Sequence, residues 1–164
     1  MTQHADLVIE NGTIVTEDET FAGSIAIRDG KIVAVGPAVE MPSSEETIDA
    51  SGLHILPGVL DVHVHFREPG MEEKEDWETG STAAVMGGVT TVFEMPNTDP
   101  PVDTVEHYEL KKSLAEAKSY CDFGIYGVLG EHNLDQLEPL ARAGAIGFKL
   151  FLGTPPGHLP CPSA

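Results

Sequence analysis

Two histidines separated by one residue are the first feature of the sequence that could do chemistry. His63 and His65 lie in the segment Val59 to Arg67, which reads VLDVHVHFR. Side chains of an extended strand alternate between its faces, so both imidazoles point to one side, together with Asp61. Two imidazoles directed at one point suit a divalent metal ion. The spacing therefore predicts a metal site, with Asp61 in reach to orient a ring or support the metal.

The other face of this strand is apolar, and it decides between two interpretations of the histidine pair. Leu60, Val62, Val64 and Phe66 alternate with the polar residues. A solvent-facing side of an antiparallel strand is one interpretation. A buried parallel strand normally has two apolar faces, so a polar face in such a strand needs a functional reason. In a barrel that face points into the interior, at the rim where active sites are built, and we favour this second interpretation.

Lys149 is the second candidate for chemistry, because the segment around it, Ile146 to Leu152, is otherwise apolar or glycine. Burying an ammonium group is costly, so the lysine either reaches water from an edge strand or has a function. Burial lowers the pKa of a lysine and frees the neutral amine. A neutral amine can act as a nucleophile or base, or react with carbon dioxide to give an anionic carbamate able to bridge two metal ions. The residues alone leave both alternatives open.

Composition narrows the class of protein. The 164 residues include 27 acidic and 9 basic side chains, for a net charge of −18, and 41% are hydrophobic. This hydrophobic content supports a packed core, whereas the acidic balance argues against nucleic acid and anionic membranes as partners. Cys121 and Cys161 form no CxxC pair, and the sequence has neither a signal-peptide pattern nor an apolar run of about 20 residues. We expect a cytoplasmic protein.

Two architectures follow each other along the chain. Residues 1–54 contain short β-prone runs around the dipeptides Asn11-Gly12 and Asp29-Gly30, which are strong hairpin signals. They predict a small antiparallel β-sandwich subdomain. Residues 55–164 alternate strands with helices, which is typical of an α/β fold with a parallel sheet. The predicted strands are 59–66, 89–95, 123–129 and 146–152, and the predicted helices are 73–86 and 104–119, with a helical pattern at 134–141.

The α/β part is most simply the first half of a (β/α)8 TIM barrel. The GxGxxG fingerprint of dinucleotide-binding sheets is absent. A complete barrel takes about 250 residues, so residues 55–164 are predicted to hold about four βα units, ending in a proline-rich loop at 154–164.

The segment from Pro57 to Gly70, PGVLDVHVHFREPG, closely resembles the amino-terminal metal motif of dihydroorotases. These enzymes belong to the amidohydrolase superfamily of cyclic amidases, together with allantoinases and dihydropyrimidinases (hydantoinases). Gly87–Thr91 and Met95–Thr98 match the second-strand region of that family, and Gly147–Lys149 resembles the strand that ends in its metal-bridging lysine. The resemblance covers nearly the whole chain.

The resemblance implies a binuclear site, usually of zinc, although manganese and cobalt suit the same ligands. His63 and His65 would bind the first metal, and Lys149, as a carbamate, would bridge both. Arg67 and Asn97 would contact the substrate. A guanidinium grips a carboxylate bidentately, so Arg67 favours dihydroorotate, whose ring amide is reversibly hydrolysed to carbamoyl aspartate in pyrimidine biosynthesis. Allantoinase and dihydropyrimidinase remain alternatives, because the context FKLFLG around Lys149 resembles those enzymes as well.

Part of the family's machinery has no counterpart in this sequence. In the family, two further histidine ligands and an aspartate that acts as general acid and base come from later strands, and only His158 follows Lys149. We therefore assign no catalytic residue and expect this chain alone to be poorly stable and without appreciable hydrolase activity. A non-catalytic dihydroorotase-like scaffold is the alternative of another class, but intact His63, His65 and Lys149 favour an enzyme. The expected partner is a small cyclic amide or ureide, with a homo-oligomer left open.

Overall fold

The computed structural model describes residues 4–152, which fall into two compact units that divide after Pro57. Each unit is described by itself. The predicted proline-rich loop at 154–164, with His158 and Cys161, lies outside the described residues.

The first unit is a five-stranded mixed sheet. Its strands are β1 (Ala5–Val15), β2 (Thr20–Arg28), β3 (Lys31–Gly36), β4 (Ser44–Asp49) and β5 (His54–Ile55). The order is β3-β2-β1-β4, and β5 also pairs with β1. β2 is antiparallel to both β1 and β3, but β4 and β5 run parallel to β1. The prediction of a purely antiparallel module is therefore wrong, because the chain returns twice to the β1 strand through longer connections.

The predicted hairpin at Asn11-Gly12 is also wrong. β1 continues through these residues, and its register with β2 shifts between Ile9 and Gly12, as in a β-bulge. Asn11 has a φ of 61°, so the left-handed backbone predicted for a turn is present but bends the strand instead. Ile55 of β5 packs so closely on Gly12 that a Cβ there would lie 2.4 Å from its Cδ1. Pairing with a distant strand therefore outweighs the local turn preference.

The second predicted hairpin is confirmed. Asp29 and Gly30 join β2 to β3, with φ values of 52° and 69°. Positive φ at both central residues is the requirement of a type I′ turn.

The second unit is built on parallel strands. These are β6 (Val59–Val64), β7 (Val89–Glu94), β8 (Asp122–Ile125), β9 (Gly127–Leu129) and β10 (Phe148–Leu150). β6, β7 and β8 form one sheet in that order, and β9 pairs with β10. The single strand predicted at 123–129 is thus two short strands that pair on different sides. The Tyr126 N–H still donates to the carbonyl of Glu94 in β7, whereas the Gly127 N–H donates to the carbonyl of Gly147, just before β10. The α/β class is confirmed, whereas closure into a barrel stays a prediction.

Three helices cover this sheet: α1 (Trp77–Met86), α2 (Val105–Lys118) and α3 (Leu137–Ala143). They pack on β7, β8 and β9. α1 begins later than the predicted residue 73, because Asp76 caps it by accepting the Thr79 main-chain N–H at 2.8 Å. The core between helices and sheet contains Phe66, Trp77, Val92, Tyr108, Ala115, Ile125 and Leu140.

Trp77 lies at the centre of that core. It is fully buried, and the centroid of its ring is 5.2 Å from that of the Phe66 ring and 5.4 Å from that of the Phe123 ring. Gly80, one turn further along α1, faces Phe66 so closely that a Cβ would lie 2.5 Å from the ring. These contacts pack α1 against Phe66, just after the end of β6. None of the helices between residues 4 and 152 has both the length and the apolarity to cross a membrane.

The Asp76 cap generates a pH-dependent stability prediction. Hydrogen bonds from the Thr79 main chain and hydroxyl hold the pKa of Asp76 below its usual 3.8. The charged form is therefore favoured by folding, and its contribution is present above about pH 4 and lost as the pH falls through the lower folded-state pKa. We expect Asp76→Ala to lower the free energy of unfolding by about 1 kcal/mol at pH 7.

Asp76→Asn is the matched control, because asparagine also caps helices but does not titrate. Urea unfolding at pH 7 and pH 3 should show wild type losing stability relative to Asp76→Asn at the lower pH. A constant difference between the two proteins across this range would contradict the assignment.

Candidate metal and substrate site

The two predicted histidines lie side by side at the end of β6. Their ring centroids are 5.3 Å apart. The strand is irregular here. Asp61 is opposite Val92 and Val64 is opposite Glu94, so between these two pairs β6 has one more residue than β7. A bulge of this kind re-aims side chains, and such bulges are common beside active sites. Asp61 Oδ1 accepts the main-chain N–H of His63 at 3.1 Å, so this carboxylate supports the backbone of His63.

The apolar face predicted for β6 is buried only at its far end. Leu60 and Val62 are 58% and 54% exposed, whereas Phe66 is buried. Within the described residues β6 has a single neighbouring strand, β7, and only its end lies under α1. The favoured interpretation of a buried strand is therefore wrong for the first half of β6.

The surroundings of His65 favour its neutral ring. Its partial burial lowers its pKa, and the neighbouring Arg67 guanidinium and His63 ring lower it further. A polar contact with the Asn97 side chain acts in the opposite direction, and the more distant Lys111 adds to the decrease. A metal binds the neutral imidazole, so each of the lowering effects favours His65 as a ligand.

Asn97 reaches this place from the loop after β7. The side chain is buried, yet its Oδ1 has no well-aligned hydrogen-bond partner among residues 4–152. Buried polar atoms are nearly always paired, so this oxygen, which belongs to a side chain in contact with His65, is available to a ligand at the histidine pair. The Asp99 N–H donates to the Pro69 carbonyl at 3.0 Å, which joins the loops after β6 and β7 and places Asn97 beside His65.

Arg67 lies directly after β6 in an unusual main-chain conformation. Its φ is 64°, in the left-handed region that residues other than glycine rarely adopt. The residues on both sides are fixed: the Phe66 N–H donates to Glu94 Oε2 at 2.9 Å, and the buried Glu68 carboxylate binds the Trp77 N–H and the Lys118 ammonium. Strained conformations that neighbours hold in place are typical of functional sites.

A buried ion pair lies behind these residues and was not among the sequence predictions. Lys111 Nζ of α2 is 2.9 Å from Glu94 Oε1 of β7, and both side chains are 1% exposed. Burial raises the pKa of Glu94 and lowers that of Lys111, because each charge is removed from water, while each partner opposes the shift of the other. The signal was present in the sequence: Lys111 falls on the helical stripe of Tyr108 and Ala115, and Glu94 ends an apolar strand.

Lys149 lies on β10, opposite Val128 of β9, and its ammonium is 5.4 Å from the centre of the Phe151 ring. It is partly buried. Its strand, β10, pairs with β9, whereas β6 belongs to the sheet β6-β7-β8. Lys149 and the histidine pair are therefore on strands that are not neighbours. The bridging role of Lys149 stays a prediction.

His132, in the 3-10 helix Glu131–Gln136 that follows β9, takes part in a different cluster. Its Nε2 is 3.3 Å from Asp103 Oδ2, and His107 Nδ1 is 2.7 Å from Asp103 Oδ1. This carboxylate is shared between two imidazoles and joins the loop before α2 to the 3-10 helix after β9.

The residues of β6 fit a divalent metal as two of its ligands. The adjacent imidazoles, the neutral state of His65 and the unpaired Oδ1 of Asn97 all suit such an ion. Residues 4–152 contain no cluster of three or more histidine, cysteine, aspartate or glutamate side chains arranged to hold a metal. The described part of the chain therefore supplies part of a ligand set.

Comparison with known proteins agrees with this picture. Residues 52–148 match the Dihydro-orotase-like family. The chain belongs to this family. It is 41% identical over 148 residues to an allantoinase from Bacillus velezensis and 43% identical over 148 residues to an allantoinase from Deinococcus radiodurans. In each case the matched residues make up 90% of this chain. Its structure is similar to the L-hydantoinase (dihydropyrimidinase) from Arthrobacter aurescens, with a TM-score of 0.89, 32% identity and 96% of this chain covered.

The chain spans about a third of the length of these relatives: 32% and 33% of the two allantoinases and 35% of the hydantoinase. The prediction of a cyclic amidohydrolase family is confirmed, and the names of the relatives are those of hydrolases that act on cyclic amides. The family is one of metal-dependent amidohydrolases. Dihydroorotase as the specific activity is not supported by these relatives.

Two buried asparagines that differ in their hydrogen bonding provide a test of the site. Asn97 Oδ1 lacks a partner, whereas the Asn133 side chain accepts from the Gly130 N–H and donates to the carbonyls of Asp103 and Val128, at 2.9–3.0 Å. Replacing an unpaired buried amide by an apolar group of similar size costs little, but each backbone partner left unpaired costs about 1–3 kcal/mol.

We therefore expect Asn97→Leu to change the free energy of unfolding by less than about 1 kcal/mol and Asn133→Leu to lower it by at least about 2 kcal/mol. Urea unfolding of the two variants measures both values. Equal losses would mean that Asn97 is a structural residue.

Proposed function

We propose that this chain carries part of the active site of a metal-dependent hydrolase of cyclic amides, with an allantoin-type ureide as the leading substrate. The observation that carries the proposal is the convergence of His63, His65, Arg67 and Asn97 after two neighbouring parallel strands. Similarity to allantoinases over nine-tenths of the chain supports the ureide. The carboxyl ends of parallel strands are where such enzymes place their active sites.

His63 and His65 are the residues that would hold the metal. When bound, the metal supplies a Lewis acid for the ring carbonyl and lowers the pKa of a bound water to about 7. The chain's own contribution is to position the substrate. Arg67 offers fixed, paired donors to a carbonyl or carboxylate, and Asn97 can hydrogen-bond an amide of the ring. The hydrogen bond from the Asp99 N–H to the Pro69 carbonyl joins the two loops that carry these side chains.

Dihydroorotate is the second candidate substrate, and Arg67 is the observation that favours it. A ureide ring needs no cation, whereas the carboxylate of dihydroorotate matches a guanidinium. The left-handed backbone and the anchored neighbours of Arg67 indicate that the direction of this side chain is specified. In that case the reaction would be reversible opening of the ring amide to carbamoyl aspartate, as in pyrimidine biosynthesis.

The larger assembly is part of the same proposal. Residues 55–164 would form the first four βα units of a TIM barrel, following the β module of residues 1–54. Lys149, as a carbamate, would bridge two zinc ions, with the remaining ligands and the general acid and base outside these units. This chain spans about a third of the length of its relatives and would hold only part of such a site. We therefore still expect this chain alone to have no appreciable hydrolase activity. A cytoplasmic location and a homo-oligomer stay predictions.

Metal binding by the histidine pair is the first test. We expect the purified chain to bind one Zn2+ in competition with a chromophoric chelator, and His63→Ala/His65→Ala to lose this binding, because both ring ligands are removed. His107→Ala/His132→Ala is the matched control, since it also removes two neighbouring imidazoles, those of the Asp103 cluster. Equal zinc binding by the His63/His65 variant and wild type would reject the ligand assignment.

Substrate choice is tested in a polypeptide that extends this sequence to the length of its relatives. Turnover of allantoin, dihydroorotate, hydantoin and dihydrouracil is compared for wild type, Arg67→Ala and Arg67→Lys. We expect allantoin to be the best substrate and Arg67→Ala to lower dihydroorotate turnover at least about tenfold, since a charge-assisted bidentate contact is lost. Arg67→Lys keeps the charge without the fork and should fall between. Unchanged dihydroorotate turnover in Arg67→Ala would show that Arg67 does not contact this carboxylate.

A further inference from the structure

The buried Glu94–Lys111 pair contacts the main chain at two places beside the candidate site. Glu94 Oε2 accepts the N–H of Phe66, the residue between His65 and Arg67, at 2.9 Å. Lys111 Nζ donates to the carbonyl of Met95, two residues before Asn97, at 2.8 Å. The two charged groups also contact each other at 2.9 Å, so one pair fixes the ends of two neighbouring strands.

We propose that Glu94 is a positioning residue for the candidate metal and substrate site, its carboxylate setting the direction of His65 through the Phe66 N–H, with Lys111 as the partner of its buried charge. The proposal rests on the metal-dependent function argued above. Both side chains are 1% exposed, so Glu94 would reach the site through the backbone of Phe66. Residues that orient metal ligands from behind typically change metal affinity by ten- to a hundredfold when they are removed.

Stability alone is a poor explanation for this pair. Taking two charges out of water costs several kcal/mol per ion, and well-packed apolar residues of similar volume often serve a core equally well or better. Most of the surrounding core is apolar, with Val92, Tyr108 and Ala115 as near neighbours in sequence. Apolar side chains reproduce neither the acceptor for the Phe66 N–H nor the donor to the Met95 carbonyl. Of these two contacts, the one with Phe66 lies next to His65 in the chain and is therefore the one to test.

Two double variants separate positioning from packing. Glu94→Leu/Lys111→Met removes both charges and the acceptor for Phe66. Glu94→Gln/Lys111→Met also removes both charges but keeps a carbonyl oxygen for Phe66. Replacing both partners together avoids the unpaired buried charge that a single substitution would leave. Lys112→Met, on the neighbouring face of α2 and in contact with exposed glutamates, controls for the loss of a lysine.

The readouts are the affinity for Zn2+ by chelator competition, the hydrogen-exchange rate of the Phe66 amide without metal, and the urea midpoint, all on the whole chain. We expect the Leu/Met variant to bind Zn2+ at least tenfold more weakly than wild type and to exchange the Phe66 amide faster. The Gln/Met variant and Lys112→Met should stay within about threefold of wild type in both properties. The urea midpoint identifies any variant that fails to fold. If the Leu/Met variant fails, the protection of the Phe66 amide in wild type still tests the contact, because an N–H without a bonded acceptor exchanges quickly, and an unprotected Phe66 amide would overturn the proposal.

Each outcome bears on the proposal. Wild-type zinc affinity in a folded Leu/Met variant, or equal loss of affinity in the Leu/Met and Gln/Met variants, would overturn the positioning role while leaving the proposed function intact. An unchanged Phe66 exchange rate in the Leu/Met variant would overturn it as well. Failure of the wild-type chain itself to bind Zn2+ would reject the proposed metal site and, with it, this inference.

Discussion

A single carboxylate buried between sheet and helix connects much of what is distinctive in the second unit. Glu94 ends β7, accepts the main-chain N–H of Phe66 and pairs with Lys111 of α2. Its neighbour along the chain leads into the loop that carries Asn97, and its partner in space is the segment that carries His65 and Arg67. Two strand ends and one helix are thereby constrained by one charged group. The costs of desolvating that group make it an improbable choice for packing alone.

The site and the core are coupled through Phe66. On one side this ring packs edge-on against Trp77 and leaves no room for a side chain at Gly80. On the other side its main chain is held by Glu94. The packing of α1 on Phe66 and the direction of the residues around Phe66 are therefore parts of one arrangement.

Sequence reasoning found the elements that depend on local patterns and missed those that depend on distant partners. The period of two in β6 placed His63 beside His65, and Asp29-Gly30 gave the right turn because its φ requirements are local. Asn11-Gly12 carries the same signal, but pairing of β5 with β1 converts it into a bulge. Lys111 was overlooked because a charged residue on a helix is assigned to solvent by default, although its place on the stripe of Tyr108 and Ala115 indicated burial. The exposure of Leu60 and Val62 depends on how many strands flank β6, which no pattern within the strand encodes.

The left-handed backbone of Arg67 has a consequence for how this position tolerates change. Most side chains with a Cβ pay a conformational penalty there, and glycine, which does not, brings no functional group. Substitution by another large residue therefore does not relieve the main-chain strain, and substitution by glycine relieves it but removes the guanidinium. The arginine at this position is therefore explained by its side chain and opposed by the conformational preference of its own main chain.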